Sequence, residues 1–511
     1  MSDAVAPPVL TVRSERVLLE GAAVGAIAGI VGGLAFGAAM IELGDLASIA
    51  SLVRADTPIV GAFVHLVVAA MVGAVFGMLV ARQRVGASDS LVWGMAYGAF
   101  FWFVGPLTLR PLILGASVTW DLATAQRSLG SLIGHIVWGA VTGLSLAALR
   151  FVVAGQRVVA ADEPPGSVSG AGIRTAVGIG GFAGMTSAVI LSALLPDRNA
   201  LIAPVTGGQS TSWLAVVAFG LVAGALYGLV LPYSTAPSAP RLGARLVHSI
   251  TVGFLAWIVV ALTIVPLGEI DTLAWGAPLV RGRFEVLPGY LLFAASLASG
   301  FCLLAGGARF LFSDEVRHYD RLTAGPQRLR AGLRGVVAGI VGGLLFTIVI
   351  VQVGALGRIS QLVGADSAVV GFLVHMMIAV VIGITYAQLF RRHSFDVRSG
   401  VAWGVAYGLL WWILGALTLL PVLLGASPQW SATAAARVFP SLVGHLMYGV
   451  GLGITFSLLE ARYNPWWIAR NETEAERTRA RRAQMLTSAP ALWAFSVFVV
   501  LFIVIVVGPP A

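Results

Sequence analysis

Residues 20–43 read EGAAVGAIAGIVGGLAFGAAMIEL, a run whose only charged residues stand at its two ends. About 20 helical residues cross the hydrocarbon core of a bilayer. Lipid offers the backbone no hydrogen-bond partner, so a crossing of this kind is a helix. The run is also one of a set. Its Gly29-Ile30-Val31-Gly32-Gly33 returns 310 places later as Gly339 to Gly343. The same slide carries Asp56 onto Asp366, His65 onto His375, Trp93 onto Trp403, Trp102 onto Trp412, Trp120 onto Trp430 and His135 onto His445, without a gap. A slide of 155 finds a weaker copy between the two. There Leu246-Val247-His248 through Thr263 and Pro266 lies over Leu91-Val92-Trp93 through Thr108 and Pro111. Trp257 lies over Trp102, and Pro288-Gly289-Tyr290 over Ile133-Gly134-His135. With a small indel, Gly224 and Gly228 lie over Gly73 and Gly77, and Val216 then lies over His65.

Composition agrees with the run. Hydrophobic residues make up 58% of the chain and charged residues 11%, against about 25% charged in a soluble domain. Mean hydropathy is +0.91. Apolar runs of membrane length recur thirteen times, from 20–43 to 489–508, and no short alternating strands of a β-barrel are visible. The expected fold is all-α and polytopic: three four-helix repeats, at 20–155, 170–312 and 332–462, then one further transmembrane helix. An even number of spans makes the repeats parallel, unlike the inverted repeats of many transporters. The segments outside them are an N-terminal stretch 1–19, linkers near 152–172 and 313–333, and a charged stretch at the start of 463–511 that reads as a surface helix. The last helix has no counterpart in the repeats, and it is expected to dock on a neighbouring protein or protomer.

All 32 basic residues are arginine. With the N-terminus in the cytoplasm, 24 of them fall in cytoplasmic segments and 8 outside, which satisfies the positive-inside rule and puts the C-terminus outside. The net charge of +9 then reflects topology and contact with anionic lipid, not nucleic-acid binding. No cleavable signal peptide is evident. One cysteine, Cys302, sits inside an apolar run, so disulfides and thiolate metal clusters within the chain are excluded.

The first and third copies carry a histidine pair, His65 with His135 and His375 with His445; the middle copy has Val216 and Tyr290 instead. Joint loss points to joint use. Both members of a pair lie a similar distance below the outer ends of the second and fourth helices, about 8–11 Å at 1.5 Å per residue, and could face one ligand if those helices are neighbours. Ionisable residues within the membrane are functional candidates. Two imidazoles at one depth are an axial set for a b-type haem, so the four histidines are candidate cofactor ligands. Zinc wants three or four ligands. Cu(I) would accept histidine with methionine, and Met376 and Met447 are near, but Leu66 and Val137 stand there in the first copy. The competing reading is polar glue between helices, or a small-molecule pocket without cofactor. Rows of small residues follow each histidine, but the middle copy keeps them, so close helix packing explains them.

Trp102, Trp257 and Trp412, and Trp120, Trp275 and Trp430, persist in all three copies. They are expected to be interfacial anchors. Pro111, Pro266 and Pro421 are expected to end the third helices. Asp56-Thr57 and Asp366-Ser367 read as N-caps of the second. His318 and His393 are placed in solvent-exposed loops. No catalytic signature is present: no phosphate loop, no nucleophile elbow, no acidic cluster within the runs.

The stretch from the second-helix histidine through Trp93, Tyr97 and Leu107-Thr108 to Gly134-His135-Ile136-Val137-Trp138, with Gly444-His445-Leu446-Met447-Tyr448 as its later echo, resembles the YagU-like family of small bacterial inner-membrane proteins. It covers about one repeat at a time, and the middle copy departs from it at Val216 and Tyr290. The resemblance implies an inner-membrane location and a triplicated unit, with no established chemistry. Two functions remain open: a haem- or metal-bearing subunit of a membrane redox assembly, or a cofactor-free scaffold or small-solute permease.

Overall fold

The computed structural model describes residues 9–81, 86–154, 170–194, 212–234, 242–312, 321–391, 393–394, 396–462 and 489–509. His318 and the charged stretch expected to form a surface helix lie outside them. The described residues are helical, with no strand among them. Eleven of their helices are long and apolar enough to cross a membrane, so the chain is a multi-pass membrane protein in lipid contact. Shorter apolar helices at Trp213–Leu229 and Trp493–Val507 stand at the two remaining runs.

The chain divides into two compact units, Met1–Pro165 with Ser234–Ala236, and Gly166–Tyr233 with Pro237–Ala511. The first unit holds α1 (Val9–Leu43), α2 (Pro58–Leu79), α3 (Ala87–Val104) and α4 (Leu129–Ala154). α1 starts eleven residues before the expected run, inside the stretch assigned to the N-terminal segment. Helix α1 packs on both α2 and α4, and α3 packs on α4. The second and fourth helices are therefore bridged by the first. Glycine sets the closeness of the α1–α2 contact: a Cβ at Gly29 would fall on the Cα of Gly73 and the carbonyl of Ala69. Trp138 Nε1 on α4 donates to the Gly29 carbonyl at 3.1 Å, tying α4 to the same stretch of α1. At the far end of α4, Arg150 donates to the Val80 carbonyl at 3.1 Å and to the Gly77 carbonyl at 3.4 Å. It thereby satisfies carbonyls that the end of α2 leaves open. Thr57 and Ser367 do sit at the N-caps of the second helices, but neither side chain makes a capping hydrogen bond.

The second unit holds α5 (Gly170–Leu194), α6 (Trp213–Ser234), α7 (Leu242–Ala256), α8 (Leu287–Phe312), α9 (Arg321–Gln352), α10 (Ala368–Phe390), α11 (Val397–Trp411), α12 (Phe439–Arg462) and α13 (Ala489–Val507). Helices α9 to α12 repeat the packing of α1 to α4: α9 on α10 and α12, and α11 on α12. Tyr448 takes the place of Trp138, its hydroxyl donating to the Ala379 carbonyl at 2.7 Å. At the far end of α12, Arg334 pairs with Glu460. His393 is not in solvent: it is buried against Phe390 and Trp403.

Helix α13 packs one face against other helices of this chain. Phe502, with none of its surface exposed, meets Phe254 and Trp257 edge-on at 5.6 and 5.8 Å. Phe495 meets Phe254 at 5.8 Å, and Arg281 Nε donates to the Val506 carbonyl at 2.8 Å. An apolar helix gains little by leaving such a bed of aromatic rings for lipid alone, because packing and hydrogen bonds hold membrane helices together.

The prolines do not end the third helices. In each case the helix widens into a π-helical stretch, Gly105–Leu109, Trp257–Ile264 or Trp412–Leu419, and then resumes through the proline to Ile113, Ile270 or Leu423. A threonine closes each wide turn: Thr108 Oγ1 donates to the Phe103 carbonyl, Thr263 to Ile258 and Thr418 to Ile413, at 2.8–2.9 Å. The partner is five residues back, the spacing of a π turn. Each hydroxyl also accepts from an indole, that of Trp120 at 3.3 Å, Trp275 at 3.0 Å and Trp430 at 2.9 Å. Trp102, Trp257 and Trp412 donate to the carbonyls of Ser128, Arg283 and Val438. The persistent tryptophans are thus hydrogen-bonded braces between the third helix and the segment that follows it. Trp275 and Trp430 are 2% and 7% exposed; Trp120, at 64%, is the exception.

Candidate histidine site

His65 stands seven residues into α2 and His375 seven into α10, while His135 and His445 stand six into α4 and α12. The depth relation drawn from spacing holds. What joins the pair is the first helix between them. The His65 Nε2–H donates to the Gly33 carbonyl of α1 at 2.9 Å. A side chain at Gly33 would press on Ala69 Cβ at 2.8 Å and Leu66 Cδ2 at 3.2 Å, so glycine there lets α2 come close enough for the imidazole to reach. His135 turns the other way and donates its Nδ1–H to the Ser131 carbonyl one turn back, at 2.7 Å. The later copy repeats both bonds: His375 Nε2–H to the Gly343 carbonyl at 3.0 Å, and His445 Nδ1–H to the Ser441 carbonyl at 2.7 Å.

A carbonyl only accepts, so each of these ring nitrogens carries the proton. In the neutral imidazole the other nitrogen is then a bare acceptor: Nδ1 of His65 and His375, Nε2 of His135 and His445. Among the described residues, no carboxylate is hydrogen-bonded or ion-paired to any of the four rings. Each pair therefore offers two lone pairs and no free donor.

Between the imidazoles stands a ring that sequence reasoning missed. Phe36 of α1 meets His65 edge-on with centroids 5.4 Å apart and His135 at 5.2 Å. Phe346 stands likewise, 5.2 Å from His375 and 4.5 Å from His445. Each phenyl edge occupies the space a Cβ would need at Gly134 or Gly444, which gives the glycine before the second histidine its reason. A signal was available: Phe36 lands on Phe346 under the 310-residue slide. In the middle copy, Gly180 meets the Gly224 carbonyl and Gly228 as Gly25 meets Gly73 and Gly77. That register puts Leu191 in place of Phe36, so ring and histidines are lost together. Val216 is buried there, and the Tyr290 hydroxyl is buried without a hydrogen-bond partner.

His65, His135, Phe36, Phe101, Trp138 and aliphatic side chains of α2 line an open cleft of about 50 Å³. That is room for a few waters. A b-type haem does not fit the arrangement. The Nε2 of His65 is committed to Gly33, the Phe36 edge lies against both imidazoles, and the cleft is far smaller than a macrocycle. A conventional metal centre finds no support either, since no group of three or more His, Cys, Asp or Glu able to hold an ion occurs among the described residues. Two neutral acceptors beside aromatic walls can instead receive a small donor molecule. No family model matches the chain, and neither does any curated protein or solved structure.

Proposed function

We propose that the chain is a small-solute permease of the bacterial inner membrane, built from three parallel four-helix repeats and a thirteenth span. Its N-terminus is cytoplasmic and its C-terminus outside. Repeats 1 and 3 each receive a hydrogen-bond-donating solute at the histidine pair, and repeat 2 is a structural copy without a site. The arginine distribution supports the orientation. The two shorter apolar helices, Trp213–Leu229 and Trp493–Val507, support the count of thirteen. The observation that carries the functional reading is that main-chain carbonyls fix all four imidazoles with one bare nitrogen each. In repeat 1 both members of the pair line one small cleft.

The test is reconstitution of the purified chain in proteoliposomes. The permease reading expects a colourless preparation that passes small N–H or O–H donors faster than protein-free vesicles. Replacing His65, His135, His375 and His445 together by leucine should abolish the difference. A haem absorption band in the purified protein, or unchanged flux in the quadruple variant, refutes it.

A further inference from the structure

We infer that the solute received at the histidine pair is a water-sized nitrogen cation, ammonium or its monomethyl form. This rests on the permease reading and names its substrate class. Bare imidazole nitrogens are acceptors only, so the ligand must bring donors. Phosphates, carboxylates and halides bring none, and no free donor of the pair is left to hold them. The cleft of about 50 Å³ limits the ligand to a few heavy atoms.

Its walls separate a cation from a neutral donor such as water. Phe36, Phe101 and Trp138 line the same space as the two imidazoles, and an aromatic ring attracts a cation that reaches its face. Under the 310-residue slide these positions become Phe346, Trp411 and Tyr448, aromatic again. Under the 155-residue slide, in the copy without histidines, they become Leu191, Ala256 and Phe293. Two of the three rings thus vanish with the two acceptors. A box for the packing of helices alone would not need to lose both together. Metal cations fit less well: they want a third ligand that is not among the described residues, whereas ammonium needs only acceptors for its N–H groups and ring faces for its charge.

The experiment is a titration of the full chain, labelled with ¹⁵N-histidine in lipid nanodiscs, followed by the imidazole nitrogen resonances. Before any ligand is added, His65 and His135 should each show one protonated and one bare nitrogen, in opposite tautomers. Ammonium chloride should move the two bare resonances together and saturably, and methylammonium should do the same. Sodium chloride and tetramethylammonium, which has no N–H, should leave them in place. In Phe101→Leu, roughly 2- to 10-fold more ammonium should be needed for the same shift. An equal response to sodium overturns the inference. So does Phe101→Leu at wild-type affinity, or a response to Cu(I) and not to ammonium; in these cases the permease reading survives. Rings found doubly protonated remove the acceptor pair and with it both the inference and the permease reading; matching tautomers contradict the bonds to Gly33 and Ser131 and overturn the inference.

Discussion

Replacing Gly134 by alanine places a methyl group where the edge of the Phe36 ring now lies. Three atoms of the Phe36 ring fall within contact distance of that methyl. The ring must leave its seat, which also takes it from between His65 and His135. Forcing an extra carbon into a packed interior costs about 1–3 kcal/mol. Alanine returns up to about 1 kcal/mol through its better helix propensity. The net runs from about zero to about 3 kcal/mol of loss. Gly37→Ala, on the same site, makes the opposite case: the nearest atoms to its Cβ are His65 Cδ2 at 3.6 Å and Nε2 at 3.8 Å, ordinary contacts, so the propensity gain of about 1 kcal/mol survives. Equilibrium unfolding in mixed micelles, read by tryptophan fluorescence, measures both. Phe36→Leu should restore part of the Gly134→Ala loss, because the smaller side chain vacates the seat. A Gly134→Ala variant no more harmful than Gly37→Ala would show that the phenyl ring is not held as described.

Other consequences follow the same geometry. Trp275→Phe and Trp430→Phe should each cost about 1 kcal/mol through the lost bond to threonine, while Trp120→Phe, at 64% exposure, should stay within about 0.5 kcal/mol; the same unfolding assay ranks them. Phe502→Ala empties a fully buried site between Phe254 and Trp257 and should cost about 3–5 kcal/mol, seen as early loss of the second unit by limited proteolysis while the first persists. Burial pushes the Asp45 carboxyl, in the loop after α1, above its ordinary value, with Arg110 opposing in part. A carboxyl whose folded-state pKa is raised opposes folding when ionised, and the opposition fades as pH falls through that value towards 3.8. Asp45→Asn should therefore be more stable than wild type at neutral pH, and the gap should close on acidification; a gap that widens in acid contradicts the assignment.

The helical membrane class was legible because lipid leaves the backbone few options, and the 310-residue slide exposed both histidine pairs at their correct depth. What recurrence could not show was contact. Phe36 recurs as faithfully as His65, yet nothing in a lone phenylalanine among apolar residues marks it as the ring between two imidazoles. The tryptophans recur in all copies, which fits anchors and braces equally well. The hydrogen bonds to Thr108, Thr263 and Thr418 show the bracing, and each threonine reaches a carbonyl five residues back where the helix has widened. The proline at the end of each third helix looked like a stop because its missing N–H is a cost in regular α-helix. Just past a π turn it falls in the first turn of the renewed helix, where that N–H has no partner to lose. His393 falls in a loop between apolar runs, which reads as solvent, and Phe390 and Trp403 claim it instead. The hydrogen bond from His65 Nε2 to the Gly33 carbonyl, which commits the nitrogen an axial ligand would offer, is something a spacing argument does not contain.

The burial of α13 bears on how the chain is made. Phe254 and Trp257 leave the ribosome more than two hundred residues before Phe502 does, and Phe495 and Phe502 are the rings that close over them. The first unit draws its helices from one contiguous stretch and can finish its packing while synthesis continues. The second cannot. Its aromatic bed stands open in the bilayer through the translation of five further helices, α8 to α12, sheltered by lipid or by the insertion machinery, until the closing helix arrives.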